Sequence, residues 1–383
     1  MKVIRIFNKI LLAVASLMVM TALQSCHDEP EVKPEKVERA VLVYMVSNNS
    51  LYGFDEGDIR EMITACQQGD FGGNRLIVYQ AARNAVPKLL EITAQGTKEL
   101  KVYDEATLSV SVEQMRTVIA DFKRVAPAER IGIILWSHAS GWLQNGITDP
   151  YDWQLPSVKS FGDDGGKYMN ITALSCALDG EGFDFVYFDC CHMASVEALY
   201  QMRQCADYFI GSTTILPSEG MPYHLTLKYL MRKDADVVGA AQATFEYFNA
   251  KSGMDRSSTM SVIKASALLP LAEVTAELYA NSERPPVSYR PQQFIKSSNC
   301  YLFDFENYVE NFVDVDPALA TRWKSCFDDA VIYSAATPRI FSELTLNYHC
   351  GLSTYILKSP SDVTYNNYDQ LSWWTDVASN IRF

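Results

Sequence analysis

The chain has 383 residues, of which 48% are hydrophobic, and this is enough apolar material for a large folded core. Its net charge of -13 argues against nucleic acid as a partner, because proteins that bind nucleic acid present a basic surface. Nine cysteines at irregular spacing do not form the framework of a disulfide-rich module, and no pair has the spacing of a zinc finger.

Residues 1–25 have the pattern of a secretory signal peptide. A basic start precedes an uncharged apolar stretch over residues 10–20, which is too short and wrongly flanked for a transmembrane helix. Residues 23–26, which follow this stretch, read Leu-Gln-Ser-Cys, which resembles a bacterial lipobox and predicts lipidation of Cys26. Residues 26–38 are charged and contain prolines, which is typical of a flexible tether. The sequence therefore predicts a lipoprotein of the bacterial cell envelope, in the outer membrane and facing the periplasm or the surface. The alternative is ordinary cleavage and secretion.

The rest of the chain alternates between short apolar runs and segments of helical periodicity. The runs predict strands at residues 39–46, 75–80, 88–92, 99–103, 131–137, 183–188, 208–212 and 259–265. The periodic segments predict helices at residues 55–67, 111–122, 170–178, 194–205 and 237–249. This alternation is typical of an α/β fold in which helices cover both faces of a mostly parallel sheet. The predicted α/β domain spans residues 39–285.

Residues 286–383 have a mixed pattern and are predicted to form an α+β region packed on the same domain. The pattern predicts a helix over residues 317–335, strands at residues 344–349 and 352–357, and a helix near Trp373 and Trp374.

Two of the predicted strands end in side chains that can carry chemistry. The run over residues 131–137 is followed by His138, and the run over residues 183–188 is followed by Asp189, Cys190 and Cys191. In open parallel sheets, ligands and reactive groups collect at the carboxyl ends of the strands. The histidine also precedes the cysteines by about 50 residues, the spacing of caspase-type peptidases. The sequence therefore predicts a Cys/His dyad, although a lone buried cysteine is more often a small hydrophobic residue.

The two adjacent thiols cannot both face the histidine. Neighbouring side chains of a strand point to opposite faces, so one of Cys190 and Cys191 is expected to be buried. The same geometry prevents Cys190, Cys191 and His192 from binding one metal ion together.

Several motifs, in this order and spacing, resemble those of the clostripain-like cysteine peptidases, which share a caspase-like fold with gingipains and legumain. The similar segments are residues 44–51, 135–142, 188–193 with Glu197, 219–223, 351–355 and 368–374. The chain departs from the family pattern at two positions. Ala139 stands where the family usually has Gly after the histidine, and Cys190 stands where it has Ala before the nucleophile.

The resemblance implies the role of each site residue. Cys191 would be the nucleophile and His138 its general base, while the backbone N–H groups of Ala139 and Cys191 would bind the oxyanion. Asp189 matches the acid that selects a basic residue, so cleavage is expected after Arg, with Lys as the alternative. The expected partners are protein or peptide substrates and, through a lipid anchor at Cys26, the membrane.

The resemblance also implies that some members cut themselves between the histidine and the cysteine and require calcium. Lys159 and Lys167 are the candidate self-cleavage sites, because they lie in a segment of small and polar residues. Asp163 and Asp164 are candidate calcium ligands, although adjacent acids are more often simply solvated. The chemistry itself requires no cofactor.

Two other functions remain open from the sequence. One is a catalytically weak homologue that acts as a surface binding lipoprotein. The other is a nutrient-binding lipoprotein in which the thiols only fill the core.

Overall fold

A computed structural model describes residues 34–69, 71–143, 160–286, 288–296, 300–365 and 367–383. The predicted signal peptide, Cys26 and Lys159 lie outside these residues. None of the helices in the described ranges combines the length and the apolar character that a membrane span requires.

A nine-stranded sheet forms the centre of the fold. Its strands are β1 (Val37–Ser47), β2 (Arg75–Ala82), β3 (Lys88–Thr93), β4 (Gly96–Val102), β5 (Ala128–Trp136), β8 (Phe183–Asp189), β9 (Ala206–Gly211), β10 (Thr259–Lys264) and β12 (Val331–Ala336). They lie in the order β12-β10-β9-β8-β5-β1-β2-β3-β4. The five central strands are parallel, and antiparallel strands extend the sheet at both edges. Three short antiparallel pairs lie outside it: β6 (Phe161–Asp164) with β7 (Lys167–Met169), β11 (Phe303–Asp304) with β15 (Ser353–Thr354), and β13 (Arg339–Ile340) with β14 (Leu344–Thr345).

Helices cover both faces of the sheet, as predicted. One face carries α1 (Phe54–Gln68), α5 (Tyr223–Leu230) and α6 (Val237–Asn249). The other carries α2 (Val112–Val125), α3 (Ile171–Leu178), α4 (Val196–Gln201), α7 (Leu268–Asn281), α8 (Phe305–Val309), α9 (Pro317–Ala330), α10 (Ser361–Tyr365) and α11 (Ser372–Asp376).

The continuous apolar sequence of β1 is explained by this arrangement. Leu42 and Tyr44 belong to the core under α2, whereas Val41, Val43 and Met45 belong to the core under α1. A central parallel strand buries both of its faces, so both alternating sets of side chains must be apolar.

The sequence prediction was wrong in the last third of the chain. The helix predicted over residues 317–335 ends at Ala330, and residues 331–336 form β12 instead. This segment contains Val331, Ile332 and Tyr333, which have high strand propensity, and it pairs with the otherwise open edge of β10. The two strands predicted at residues 344–349 and 352–357 are reduced to the two-residue strands β14 and β15. Helix α5 was not predicted.

Candidate active site

The predicted histidine and cysteines follow neighbouring strands. Strands β5 and β8 are adjacent and parallel, and Trp136 is the register partner of Asp189 at their carboxyl ends. His138 and Cys191 each lie two residues beyond this pair. Paired parallel strands are about 4.8 Å apart, so the two turns begin side by side.

The two turns also pack against each other. Gly141, with φ of 71°, lies so close to His192 that an added Cβ would be 2.8 Å from the His192 carbonyl oxygen. His192 itself has φ of 62°, and its N–H donates to the Thr214 carbonyl at 3.0 Å. A glycine is therefore required where the histidine turn meets the cysteine turn.

His138 is held at both its ring and its backbone. The ring Nε2 forms a hydrogen bond of 2.8 Å with the Oγ of Ser50, an exposed residue in the turn after β1. The His138 carbonyl accepts a hydrogen bond of 2.9 Å from the N–H of Gly162 in β6. Sequence reasoning did not identify Ser50, because the contact joins residues 88 positions apart.

The Asn49 amide fixes the backbone around His138. Asn49 Nδ2 donates to the carbonyls of Val46 and Asp163, and its Oδ1 accepts from the Leu51 N–H at 2.8 Å. The neighbouring Ser137 hydroxyl also donates to the Val46 carbonyl, at 2.8 Å. The end of the family-like segment 44–51 is thus a turn that connects β1, β5 and β6.

The two thiols lie in different surroundings. Cys190 is 3% exposed and belongs to the core under α2 and α4, whereas Cys191 is partly exposed. The Cys191 Sγ accepts a hydrogen bond of 3.4 Å from the Leu216 N–H, in the loop between β9 and α5. Burial raises the pKa of the Cys191 thiol to about 11, although the Leu216 N–H acts in the opposite direction. The thiol is therefore protonated near neutral pH in this conformation.

Asp189 is buried at the end of β8, on the opposite face from Cys190. Its Oδ1 accepts from the Met221 N–H at 2.8 Å, and its Oδ2 accepts from the Tyr223 hydroxyl at 3.0 Å. A Cβ at Gly220 would lie 2.9 Å from both carboxylate oxygens, so glycine is needed above this acid. Burial raises the pKa of Asp189 to about 7, against the effect of these two donors.

A second buried acid, Asp58 of α1, lies on the same face. Its Oδ2 accepts a hydrogen bond of 2.6 Å from the Trp136 Nε1, and the residue is 4% exposed. Burial, together with the negative charge of Asp189, raises the pKa of Asp58 to about 9. The sequence did contain a signal, since Asp55 and Asp58 share the buried side of α1 with Ile59 and Met62.

Glu197, in the first turn of α4, links the start of this helix to the C-terminal region. Its Oε1 accepts hydrogen bonds from the Thr354 hydroxyl at 2.9 Å, the Tyr355 N–H at 2.7 Å and the Tyr368 hydroxyl at 3.1 Å. The side chain is fully buried, and burial raises its pKa to about 7.

Three of the candidate activation residues, Asp163, Asp164 and Lys167, lie in the β6–β7 hairpin. Lys167 follows Gly165 and Gly166, whose φ values of 60° and 85° form a tight two-residue turn. Asp164 accepts hydrogen bonds from the Asn48 side chain and from the Ser109 N–H, at 2.8 and 2.7 Å.

The hairpin geometry bears on the candidate calcium ligands. Both oxygens of Asp164 are engaged by protein donors, and Asp163 Oδ1 accepts from the Gly166 N–H at 2.9 Å. In the described part of the chain no group of three or more His, Cys, Asp or Glu side chains could hold a metal ion. Both acids therefore already accept hydrogen bonds within the hairpin and its surroundings, and a calcium requirement stays a prediction.

Solved structures with the same fold come from related bacterial proteases. An inactive zymogen of a C11 protease from Parabacteroides distasonis superposes with a TM-score of 0.77 at 29% identity, covering 90% of this chain and 99% of that one. A secreted C11 cysteine protease from Bacteroides thetaiotaomicron, in complex with an irreversible peptide inhibitor, gives a TM-score of 0.72 at 28% identity, covering 88% and 98%. A second secreted C11 protease from that bacterium gives a TM-score of 0.78 at 20% identity, covering 90% of this chain and 100% of that one. At this identity the similarity is evidence for the fold alone.

Comparison with protein families gives the same result. A search among curated proteins finds no significant match. The model of the clostripain family, by contrast, matches residues 43–376, which is most of the chain. With its caspase-like α/β sheet, the protein is therefore a cysteine peptidase that belongs to the clostripain family.

Proposed function

We propose that the protein is an endopeptidase that cleaves after Arg, or after Lys, with Cys191 as nucleophile and His138 as general base. The observation that carries this proposal is the place of Asp189. Its carboxylate is buried two residues before Cys191, and its hydrogen-bond donors, Met221 and Tyr223, are neutral. A substrate guanidinium or ammonium group would supply the missing positive charge, and a guanidinium can bind both carboxylate oxygens.

The proposed chemistry begins with the thiol. Because the pKa of Cys191 is raised to about 11, the thiol needs a base before it can attack the scissile carbonyl. His138 takes this proton as the thiolate forms a bond to the carbonyl carbon, and then returns it to the leaving amine. Water hydrolyses the resulting thioester, with His138 as base again.

The oxyanion is proposed to be held by the N–H groups of Cys191 and Ala139. Ala139 pairs with Phe161 across an isolated antiparallel bridge, and the hydrogen bond beside it runs from the Gly162 N–H to the His138 carbonyl. In such a non-hydrogen-bonded pair the Ala139 N–H points away from Phe161. This direction supports its use as a donor, and the Ala that replaces the family's Gly keeps the group.

Activation by self-cleavage between His138 and Cys191 is part of the proposal. One similar structure is that of an inactive zymogen. In the present structure Ser50 contacts the His138 ring, and Asp189 is only 5% exposed. A substrate side chain can therefore reach the Asp189 carboxylate only if the loop between β9 and α5, which contains Met221, moves. Lys159 and Lys167 are the proposed sites. Cleavage at Lys167 additionally requires opening of the hairpin, because proteases bind an extended chain.

The protein is further proposed to act in the cell envelope or outside the cell. The signal-like residues 1–25 and the lipobox-like ending at Cys26 support export and lipidation. A similar protease is described as secreted. Metabolic labelling with an azide-bearing fatty acid, with Cys26→Ala as control, tests the anchor.

Hydrolysis of peptide-Arg amides tests the peptidase assignment. Cys191→Ala is expected to abolish hydrolysis, whereas Cys190→Ala is expected to keep most of it. Asp189→Ala should reduce cleavage after Arg about tenfold to a hundredfold, the effect of losing a charge-assisted pair, with little change in alkylation of Cys191 by iodoacetamide. An equal loss for Arg and for uncharged residues would contradict the role of Asp189.

Sequencing the new N-terminus of any fragment tests self-cleavage. The mature protein is incubated with and without calcium, and Cys191→Ala is the control. Fragments that begin after Lys159 or Lys167, and that are absent from the control, support the proposal. A fully active protein that stays intact would overturn it, and an unchanged yield without calcium would overturn a calcium requirement.

A further inference from the structure

The second buried acid, Asp58, lies beside the acid proposed to select basic residues. Asp58 accepts from the indole N–H of Trp136 at 2.6 Å, and Trp136 is the register partner of Asp189 across β5 and β8. Residues paired in register on parallel strands have side chains on the same face. Asp58 and Asp189 are 4% and 5% exposed.

No cation neutralises these two carboxyl groups within the described residues. The donors to Asp58 and Asp189 are an indole N–H, a backbone N–H and a phenol, all uncharged. Two buried carboxyl groups close together cannot both be ionised without a compensating charge, so one of them keeps its proton.

The other titratable groups around Asp58 and Asp189 are two acids of α1 and two phenols. From α1, Asp55 accepts from the Gly53 N–H and the Gln80 amide, and the Oε2 of Glu61 lies 3.0 Å from the Nδ1 of His224 in α5. From β8 and α5, the phenols of Tyr187 and Tyr223 have pKa values raised by burial and by the charge of Asp189. Glu61 is the remaining acid whose charge acts on both Asp58 and Asp189.

We propose that Asp58 is a second specificity-determining acid of the pocket for the basic residue, holding a proton when the pocket is empty and losing it to solvent when a cationic side chain enters. The inference rests on the proposed function, because it requires Asp189 to receive that side chain. When the cation binds Asp189, its positive charge lowers the pKa of Asp58, and the ionised Asp58 then adds a second attraction for the cation.

The expected consequence is a preference that strengthens with pH. Burial raises the pKa of Asp189, and burial together with the charge of Asp189 raises the pKa of Asp58. Above about pH 7 Asp189 binds the cation, and between pH 7 and 9 the free-energy cost of removing the Asp58 proton falls. The ratio of kcat/KM for an Arg substrate to that for the isosteric, uncharged citrulline substrate should rise about tenfold over this range.

Asp58→Asn tests this inference without breaking the hydrogen bond to Trp136. Asparagine keeps an oxygen acceptor and has no proton to lose. In this variant the Arg-to-citrulline ratio should rise no more than about twofold between pH 7 and 9, from the ionisation of Asp189 alone, and should be about tenfold lower than that of the parent at pH 9. Asp55→Asn is the matched control, since Asp55 is also a buried acid on the same helix. The Arg-to-citrulline ratio of this variant should rise with pH as it does in the parent.

Calorimetry gives a second readout. Benzamidine, a rigid guanidinium analogue, is titrated at pH 8 into Cys191→Ala protein in two buffers of different ionisation enthalpy. The parent should release a measurable fraction of one proton for each benzamidine bound, and protein with the added Asp58→Asn change should release almost none. Equal proton release, or a rise of the ratio by about tenfold that survives Asp58→Asn, would overturn the inference.

The two failures can be told apart. If the parent enzyme does not prefer Arg to citrulline at any pH, the proposed function is wrong. If it prefers Arg and loses this preference in Asp189→Ala but not in Asp58→Asn, the proposed function stands and the role of Asp58 is wrong.

Discussion

Replacement of Glu197 by glutamine should remove much of the loss of stability with rising pH. The folded-state pKa of Glu197 is raised from 4.5 to about 7, chiefly by burial. A carboxyl group whose folded pKa is raised contributes stability that is fully present below its unfolded pKa and is lost as pH rises through the folded pKa. The relevant window therefore runs from about pH 4.5 to about pH 7.

The size of the effect follows from the shift. A difference of about 2.5 pKa units, at 1.36 kcal/mol per unit, corresponds to about 3 kcal/mol of folding free energy lost across the window. Glutamine keeps the oxygen that accepts from Thr354, Tyr355 and Tyr368 but does not ionise. The difference in unfolding free energy between parent and Glu197→Gln should therefore shift by up to about 3 kcal/mol between pH 5 and pH 8, in favour of the variant at pH 8.

Urea unfolding at the two pH values is the assay. Both proteins should carry Cys191→Ala, so that proteolysis of unfolded chains does not distort the transitions. Glu277→Gln is the matched control, because Glu277 is exposed and pairs with Arg322 on the surface. A parent–variant difference in unfolding free energy that is the same at pH 5 and pH 8 would refute the reasoning.

Three further changes test the turns around the site. Gly141→Ala puts a Cβ 2.8 Å from the His192 carbonyl at a positive φ, and the displaced histidine turn should lower kcat/KM about a hundredfold. Gly220→Ala puts a Cβ 2.9 Å from both Asp189 oxygens, so kcat/KM for Arg substrates should fall at least about tenfold while iodoacetamide labelling of Cys191 changes little. Burial lowers the pKa of His192 from 6.5 to about 4. The neutral imidazole therefore contributes folding stability that is fully present above pH 6.5, and up to about 3 kcal/mol of it is lost as the pH falls toward 4. His192→Asn should reduce this loss in urea unfolding, because asparagine does not titrate and tolerates the left-handed φ.

Matched controls are available for the two glycine changes. Gly180 and Gly182 also have positive φ but have no atom within 4 Å of an added Cβ, so their alanine variants should lose some stability and little activity. Normal activity of Gly141→Ala, or unchanged Arg cleavage by Gly220→Ala, would contradict the close contacts on which the expectations rest. An acid sensitivity that is the same in His192→Asn as in the parent would remove His192 as a cause.

The sequence predicts the central sheet well because each of its inner strands has a recognisable pattern in its own residues. The apolar run in β1 and the run in β8 are long enough, and rich enough in β-branched and aromatic residues, to exclude most alternatives. The edge strand β12 is different. Its residues continue the helical pattern of α9, and their strand propensity decides the structure because the edge of β10 is available for pairing.

The residues of the candidate site also fall into those that the local sequence predicts and those that it does not. His138 and Cys191 follow the predicted strands directly, so their positions are readable from the sequence. Ser50, Asp58 and Leu216 act through contacts between distant parts of the chain, at 88, 78 and 25 positions' separation from their partners. Local periodicity contains no information about such partners, although an acid on the buried side of a helix does indicate that one exists.

The hydrogen bonds to Glu197 have a consequence for how local unfolding spreads through the protein. Thr354, Tyr355 and Tyr368 donate to the first turn of α4, and Ser353 donates its N–H to the Ala194 carbonyl at 2.9 Å, beside the turn that carries Cys191. Detachment of this C-terminal region would remove three donors from one buried carboxyl group at the same time. The C-terminal region and the start of α4 are therefore expected to open as one cooperative unit, with similar protection of their amide hydrogens from exchange.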